Sequence, residues 1–481
     1  MIFGLLPVIC GQGYFSPTND VKEAYDLVSK LRFTEAEQKI AFIKENDPDN
    51  LLVYHVENYI DFFKVFLNED IEEYERLKEN KSKRISKINK GDENSPYYLF
   101  TLAEINLQWA TARLKFGETF DPLREVYRAY KFLEKNQEKF PDFVENKKSL
   151  SIIHALSESI PGAVRFIMRV SGSIDQGTME IRDVIKYAES GDFMYNDEAY
   201  AIYAYILFFQ NNKRKEAYDV LFGADLDHST SPLICFLKAS IAQKNGNNEE
   251  ALQILRERPQ GEEYHDFPYL DFMYGTYRLY QLESDSRDYI LSFLDNFKGR
   301  HFVKEAYQKL AWYELVENDN IAGYKKYMSL VKSEGFTLVD EDKQALKESE
   351  KGHIPDASLL KARLLFDGGY YAQAYAFLVK KAYLFPNEND QYLEFSYRMG
   401  RICHELKNLP EAIENYNYAL QKGRKKNSFM ACNAALQIGL ILEQQGKVKQ
   451  AKSYFNQCLD IESDEYKTSL HQKAKSGLNR L

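Results

Sequence analysis

Three residue columns that recur at a nearly constant interval constrain this chain more than any other feature. One column reads Ala217, Ala251, Arg287, Gly323, Ala374, Ala412 and Ala451, separated by 34, 36, 36, 51, 38 and 39 residues. Twelve positions before these stand Tyr205, Ala239, Gly275, Ala311, Ala362, Gly400 and Gly439, and four positions after them stand Leu221, Leu255, Leu291, Tyr327, Leu378, Tyr416 and Phe455. Two antiparallel helices approach closely only where facing side chains are small, and a large residue one turn on fills the groove to the next pair. Gly246, Gly369 and Gly446 fall five positions before the first column, where the chain must reverse and a left-handed backbone is cheap for glycine. Pro386 stands where a second helix should stop. The expected fold class is therefore all-α, an α–α superhelix of antiparallel hairpins.

Composition supports this reading. With 24 Gly and 13 Pro in 481 residues the chain makes few tight turns, which disfavours a β-sandwich or barrel. Hydrophobic residues at 44% and charged residues at 28% exclude the disordered class. The 63 basic and 72 acidic residues leave a net charge of −9, so no overall footprint for nucleic acid is expected.

The columns resemble the tetratricopeptide repeat, a helix-turn-helix unit of about 34 residues. The likeness covers residues 195–470, with its best units from Cys432 to Leu459, Leu393 to Lys422 and Pro232 to Pro259. It implies a solenoid and says little of function. The expected organisation is a signal peptide at 1–13, an irregular helical-repeat region at 17–190, repeats at 195–331, a polar connection at 332–356 and further repeats at 357–481. Ala24, Ala36 and Ile40 fit the columns once more, near the amino terminus. Apolar periodicity predicts helices over Tyr97 to Phe116 and Phe120 to Lys139, and Asn80 to Pro96 reads as a solvated polar loop with six basic residues between Lys78 and Lys90. Asn146 to Glu189 breaks the pattern. Its Asn146-Lys147-Lys148-Ser149-Leu150 and Gly172-Ser173-Ile174-Asp175-Gln176-Gly177 segments make the chain similar to large exported repeat proteins of Bacteroidota, a likeness that implies no activity.

Ile2 to Cys10 is apolar, too short to span a membrane, and followed by Gly11 and Gly13, so it reads as an export signal. No Lys or Arg precedes Lys22, as if translation began upstream. The expected location is periplasmic or outer-membrane associated, and cytoplasmic if the segment is not a signal. Ile9 disfavours lipidation of Cys10, and Cys235, Cys403, Cys432 and Cys458 read as buried free thiols.

Signatures of chemistry are missing. No Walker loop, G-x-G-x-x-G or G-x-S-x-G occurs, and His404-Glu405 lacks its second histidine because Asn408 stands there. Glycine and proline flank both Glu262 to His265 and Glu350 to His353, so neither can align two metal ligands on a helix. No catalytic residue, metal or cofactor is assigned, and the chain is not expected to be an enzyme. Most of the 35 Tyr and 31 Phe should be inter-helix wedges. The resemblance implies a concave groove built by first-helix residues three before and one after the small residue. Those columns supply Phe236, Phe272, Trp312, Arg363, Tyr397 and Arg401 as candidate groove residues. The expected function is a non-catalytic scaffold that holds a protein or peptide segment in that groove, with no nucleic acid, no membrane span and peripheral association with the cell envelope. The alternative is a glycan-binding or nutrient-uptake component, which the weak lipidation signal and the two Trp disfavour.

Overall fold

The computed structural model describes residues 12–158, 170–387, 391–463 and 465–481. These are helical from Asn19–Ser29 through Lys467–Arg480, and β-structure among them is limited to the isolated bridges Gly13 to Gly91 and Tyr14 to Asn50. Consecutive helices pack as hairpins stacked in α–α solenoid fashion. Two compact units result. The first comprises the chain to Tyr274 with Leu291–Lys304 and Glu334–Gln344, and the second comprises Gly275–Ile290, Glu305–Ser333 and Ala345–Leu481. The apolar start Ile2 to Cys10, and so nearly all of the expected signal segment 1–13, lies outside the described residues. Gly13 and Tyr14 are tied into the first unit, their carbonyls accepting from Asp92 N (2.8 Å) and Leu51 N (2.7 Å).

Each repeat turns on one left-handed residue: Leu31, Gly246, Leu282, Gly369, Lys407 and Gly446 have φ between 59° and 84°. The next N–H donates to the carbonyl five residues back, as Arg32 does to Leu27 (2.9 Å), Glu283 to Arg278 (3.1 Å), Tyr370 to Leu365 (2.8 Å), Asn408 to Cys403 (2.9 Å) and Lys447 to Leu442 (2.9 Å). This Schellman bond satisfies a helix-end carbonyl while reversing the chain. Glycine was the expected turn residue. Leucine or lysine in its place costs ~1–2 kcal/mol, which the packing of the flanking helices must offset.

The turn also explains where the sequence columns slip. In two units the donor reaches six residues back, Lys213 to Leu207 (2.8 Å) and Asn320 to Glu314 (2.9 Å), so one extra residue is accommodated. In the first of these the π turn Ile206–Gln210 carries it, and Tyr205 is thrown to the surface while Ala204 is buried. In the second, Tyr324 takes the place read as Gly323 and makes the first helical bond to Asn320 O (3.0 Å), as Ala412 and Ala451 do to Asn408 and Lys447. The Gly275 unit is one residue short instead. There Ser286 and Ile290, not Arg287 and Leu291, face the glycine, and a Cβ on Gly275 would lie 2.8 Å from Ser286 O.

Two segments differ from expectation. Asn80 to Pro96 contains the helix Asn80–Ile88, whose Lys81 and Arg84 are buried against Glu125 and Asp61. The connection 332–356 contains the helix Asp340–Lys351, which has Ala345 as its fully buried apolar side chain and so lacks a hydrophobic period. Cys235, Cys403, Cys432 and Cys458 are buried free thiols.

The columns close as designed in the last repeats, with one refinement. A Cβ on Gly400 or Gly439 would lie 2.6 Å from the ring of Tyr416 or Phe455, so the glycines make room for the large third-column ring rather than for Ala412 and Ala451. Phe455 also lies against Gly477, where a Cβ would come within 2.6 Å, which leaves the ring no retreat. Gly439→Ala should therefore destabilise the chain by ~1–3 kcal/mol in urea unfolding despite its better helix propensity, whereas Lys447→Ala in the exposed turn should change little.

Candidate functional site

The second unit brings four of the six candidate residues into a ladder of rings and cations. Trp312, on Val303–Val316, is fully buried, and its indole N–H donates to Glu348 Oε1 (2.8 Å). Lys309 Nζ and the Arg363 guanidinium lie 4.3 and 4.5 Å from the Trp312 ring centre. Arg363, on Ala357–Asp367, is half-buried and reaches Asp367 Oδ2 at 3.5 Å. One repeat on, Arg401 on Tyr392–Glu405 lies over the ring of Phe366 (4.0 Å) and nearer the edge of range over Tyr397 (5.9 Å). Tyr397 is buried, and its hydroxyl accepts from Asn433 Nδ2 (2.6 Å) on Phe429–Gln444.

The two groove columns behave differently. The column three before the small residue is buried throughout this unit, at Gln308, Leu359, Tyr397 and Leu436, because it faces the neighbouring hairpin. The column one after it is half-buried from Arg363 onward, at Arg363, Arg401 and Leu440. What this face offers to a ligand is thus guanidinium edge rather than aromatic ring. In the first unit Phe272 is buried against Phe293 (5.1 Å between centres) and Phe236 is half-buried beside Phe267 and Tyr269. Sequence reading did not find Glu348, Phe366 or Asn433, because their roles come from contacts across repeats.

Arg401 stands apart electrostatically. Arg363 has Asp367 and Arg398 pairs with Glu394, whereas among the described residues no carboxylate or other acceptor is bonded to Arg401. Its N–H groups are pre-positioned by the two rings and left for solvent or ligand.

Two other places in the first unit concentrate polar side chains. A depression of about 660 Å³ in the first unit is lined by Phe33, Thr34, Glu37, Lys64 and residues 261–266, a loop surface held by His265 N to Leu31 O (2.8 Å). It brings together no constellation for catalysis, and among the described residues no cluster of His, Cys, Asp and Glu could hold a metal. Glu262 to His265 lies in this loop and His353 lies beyond the end of Asp340–Lys351, so neither pair shares a helical turn.

The second is a largely buried cluster around Lys148, which sequence reading missed. Lys148 on Val144–Ser157 is 1% exposed, and its ammonium contacts Glu104 Oε2 (2.8 Å) and Glu198 Oε1 (2.6 Å). Ser149 donates to Glu104, and Tyr25 and Tyr59 donate to Glu198 (3.0 and 2.8 Å). Burial opposes the charge on Lys148, but the two carboxylates outweigh it and hold its pKa above the ordinary value. His55, fully buried beside Tyr195 (3.3 Å) with Nε2 4.0 Å from Glu104, is pushed down to about 3 by burial and then by Lys148. This cluster ties together five helices, those of Tyr25, Tyr59, Glu104, Lys148 and Glu198, and within it Lys148 and Glu104 are buried while Glu198 keeps a partly exposed edge. The Gly-Ser-Ile-x-Gln-Gly segment packs on the same helix: a Cβ on Gly177 would lie 2.3 Å from Ser151 O, and Glu180 meets His154 Nδ1 (2.7 Å).

Residues 433–465 match the tetratricopeptide repeat family model. Among solved structures, the chain is similar to the APC/C hetero-tetramer Cut9-Hcn1 (11% identity over 95% of this chain and 89% of that one, TM-score 0.28). It is also similar to the human IFIT1 dimer with PPP-AAAA (13%, 94% and 96%, TM-score 0.29) and with m7Gppp-AAAA (10%, 96% and 96%, TM-score 0.31). No curated protein matches in sequence.

Two outcomes are expected. Trp312→Ala empties a filled site and strips Glu348 of a donor, so unfolding stability should fall by ~3–5 kcal/mol. His55 binds a proton in the unfolded chain below about pH 6.5 but not in the folded one until about pH 3, so stability falls as pH drops. Between pH 6.5 and 5 this amounts to ~2 kcal/mol, and thermal melts of His55→Gln should show a correspondingly flatter acid limb.

Proposed function

We propose that this protein is a non-catalytic interaction scaffold whose first-helix face, from Arg363 to Asn433, holds an extended or helical protein segment bearing a carboxylate. The observation that carries this reading is Arg401: half-buried, braced by Phe366 and Tyr397, and without an acceptor among the described residues. A guanidinium held over a ring loses little freedom on binding, and its planar fork suits a carboxylate. Tetratricopeptide-like solenoids generally bind protein partners, and the tetratricopeptide repeat match at residues 433–465 falls on the repeat that follows Arg401. No helix of the described residues is long and apolar enough to cross a membrane. The apolar start and the likeness to exported repeat proteins of Bacteroidota support a site of action in the cell envelope.

The test is capture of partners from an envelope fraction by the tagged chain. Arg401→Glu should weaken the captured protein at least ~10-fold, and Arg401→Lys, which keeps charge but loses the fork, should fall between. A variant that folds as the wild type does and retains its partner would overturn the proposal, as would recovery of carbohydrate in place of protein.

A further inference from the structure

A second surface of the second unit carries a different chemistry. The helix Tyr371–Lys381 and the turn Ala382–Leu384 after it expose Val379, Tyr383 and Leu384, with 48%, 74% and 40% of their surfaces in water. Tyr383 is among the most exposed large apolar side chains described, and Val379 sits one helical turn before it. The end of the next hairpin lies alongside, because Lys422 Nζ donates to Asn387 O (2.9 Å). Lys380 and Lys381 thus precede the exposed turn, and Lys422 is brought beside it, with Arg424, Lys425 and Lys426 following on the end of that next hairpin. Arg424 is paired with Asp460 (3.3 Å), but Lys380, Lys381, Lys422 and Lys425 form no ion pair among the described residues.

We infer that this end of the hairpins docks on an anionic lipid surface. The reasons are local. The chain as a whole carries −9, so Lys380, Lys381, Lys422 and Lys425, which form no ion pair among the described residues, depart from its average charge and complement an anionic surface. Cations alone would suit any polyanion, but the protruding Tyr383, Leu384 and Val379 add a second term. Apolar side chains enter the headgroup region while lysines around them meet lipid phosphates, and the two together give binding that neither gives alone. Tyrosine in particular places a ring in the interface and a hydroxyl in water. A flat bilayer also asks for no complementary groove. The surface is independent of Arg401, so the scaffold reading and this one can fail separately.

The experiment is cosedimentation of the full chain with vesicles of phosphatidylcholine alone or with about 30% phosphatidylglycerol, at about 0.1 M and 0.5 M salt. The wild type should partition at least ~10-fold more strongly onto the anionic vesicles at low salt, and lose most of that advantage at high salt. Lys422→Glu with Lys425→Glu should remove it. Tyr383→Ser with Leu384→Ser should weaken binding about as much, although it changes no charge. All four positions are solvent-exposed, and circular dichroism melts verify that the variants fold. Equal partitioning onto neutral and anionic vesicles, or none, would overturn the inference. So would loss in the lysine variant alone, which would mean a soluble polyanion such as an acidic protein or nucleic acid.

Discussion

Chain reversal through a single left-handed residue, with the next N–H bonded five residues back, is the constraint on which the rest of this structure depends. It sets the offset between first and second helix, and so decides which small residue meets which large one. Where the bond spans five residues, Gly400 faces Tyr416 and Gly439 faces Phe455. Where it spans six, the facing residue moves by one place, and Tyr205 is expelled in favour of Ala204. Leu31 and Lys407 keep the same geometry without glycine, which means that the reversal is enforced by helix packing and not merely permitted by the residue.

The last repeats and the first unit are held by different physics. The last repeats are bound by close apolar contact, with Phe455 pressed between two glycines and alanines filling the hairpin interior. The first unit adds buried charge. Lys148 with Glu104 and Glu198, and Arg84 with Asp61, sit where apolar packing alone would be simpler. A buried pair gains little net stability over an apolar one, but removing a partner costs ~3–5 kcal/mol, so such groups penalise any arrangement that separates them. In an array whose repeats resemble one another this selects the correct neighbours, and it couples the amino-terminal hairpins to the acid sensitivity of His55.

Function follows from which side chains the packing leaves over. The rings read as groove anchors are largely consumed by the fold, Trp312 by Glu348 and two cations, Tyr397 by Asn433. Their consumption holds Arg363 and Arg401 in place, so the aromatic residues act as positioning residues for guanidiniums. Lys380, Lys381, Lys422 and Lys425 lie elsewhere on the same unit, at or just past the ends of second helices.

The sequence by itself determined the all-helical class, the hairpin repeat and the burial of Ala217, Ala251, Ala374, Ala412 and Ala451, because each depends on contacts within one hairpin, whose spacing is written locally. It also placed Arg401 on a first helix, since that position is a matter of register. Tertiary structure alone decided the slips at Tyr205, Arg287 and Gly323, where one residue more or less in a turn rotates the following helix. It alone made Lys81, Arg84 and Lys148 interior, because a lysine looks solvated until a distant carboxylate is brought to it. Glu348 belongs to the same class: its helix has almost no hydrophobic period, and only the fold, by carrying it to an indole nitrogen 36 residues away, gives it a role.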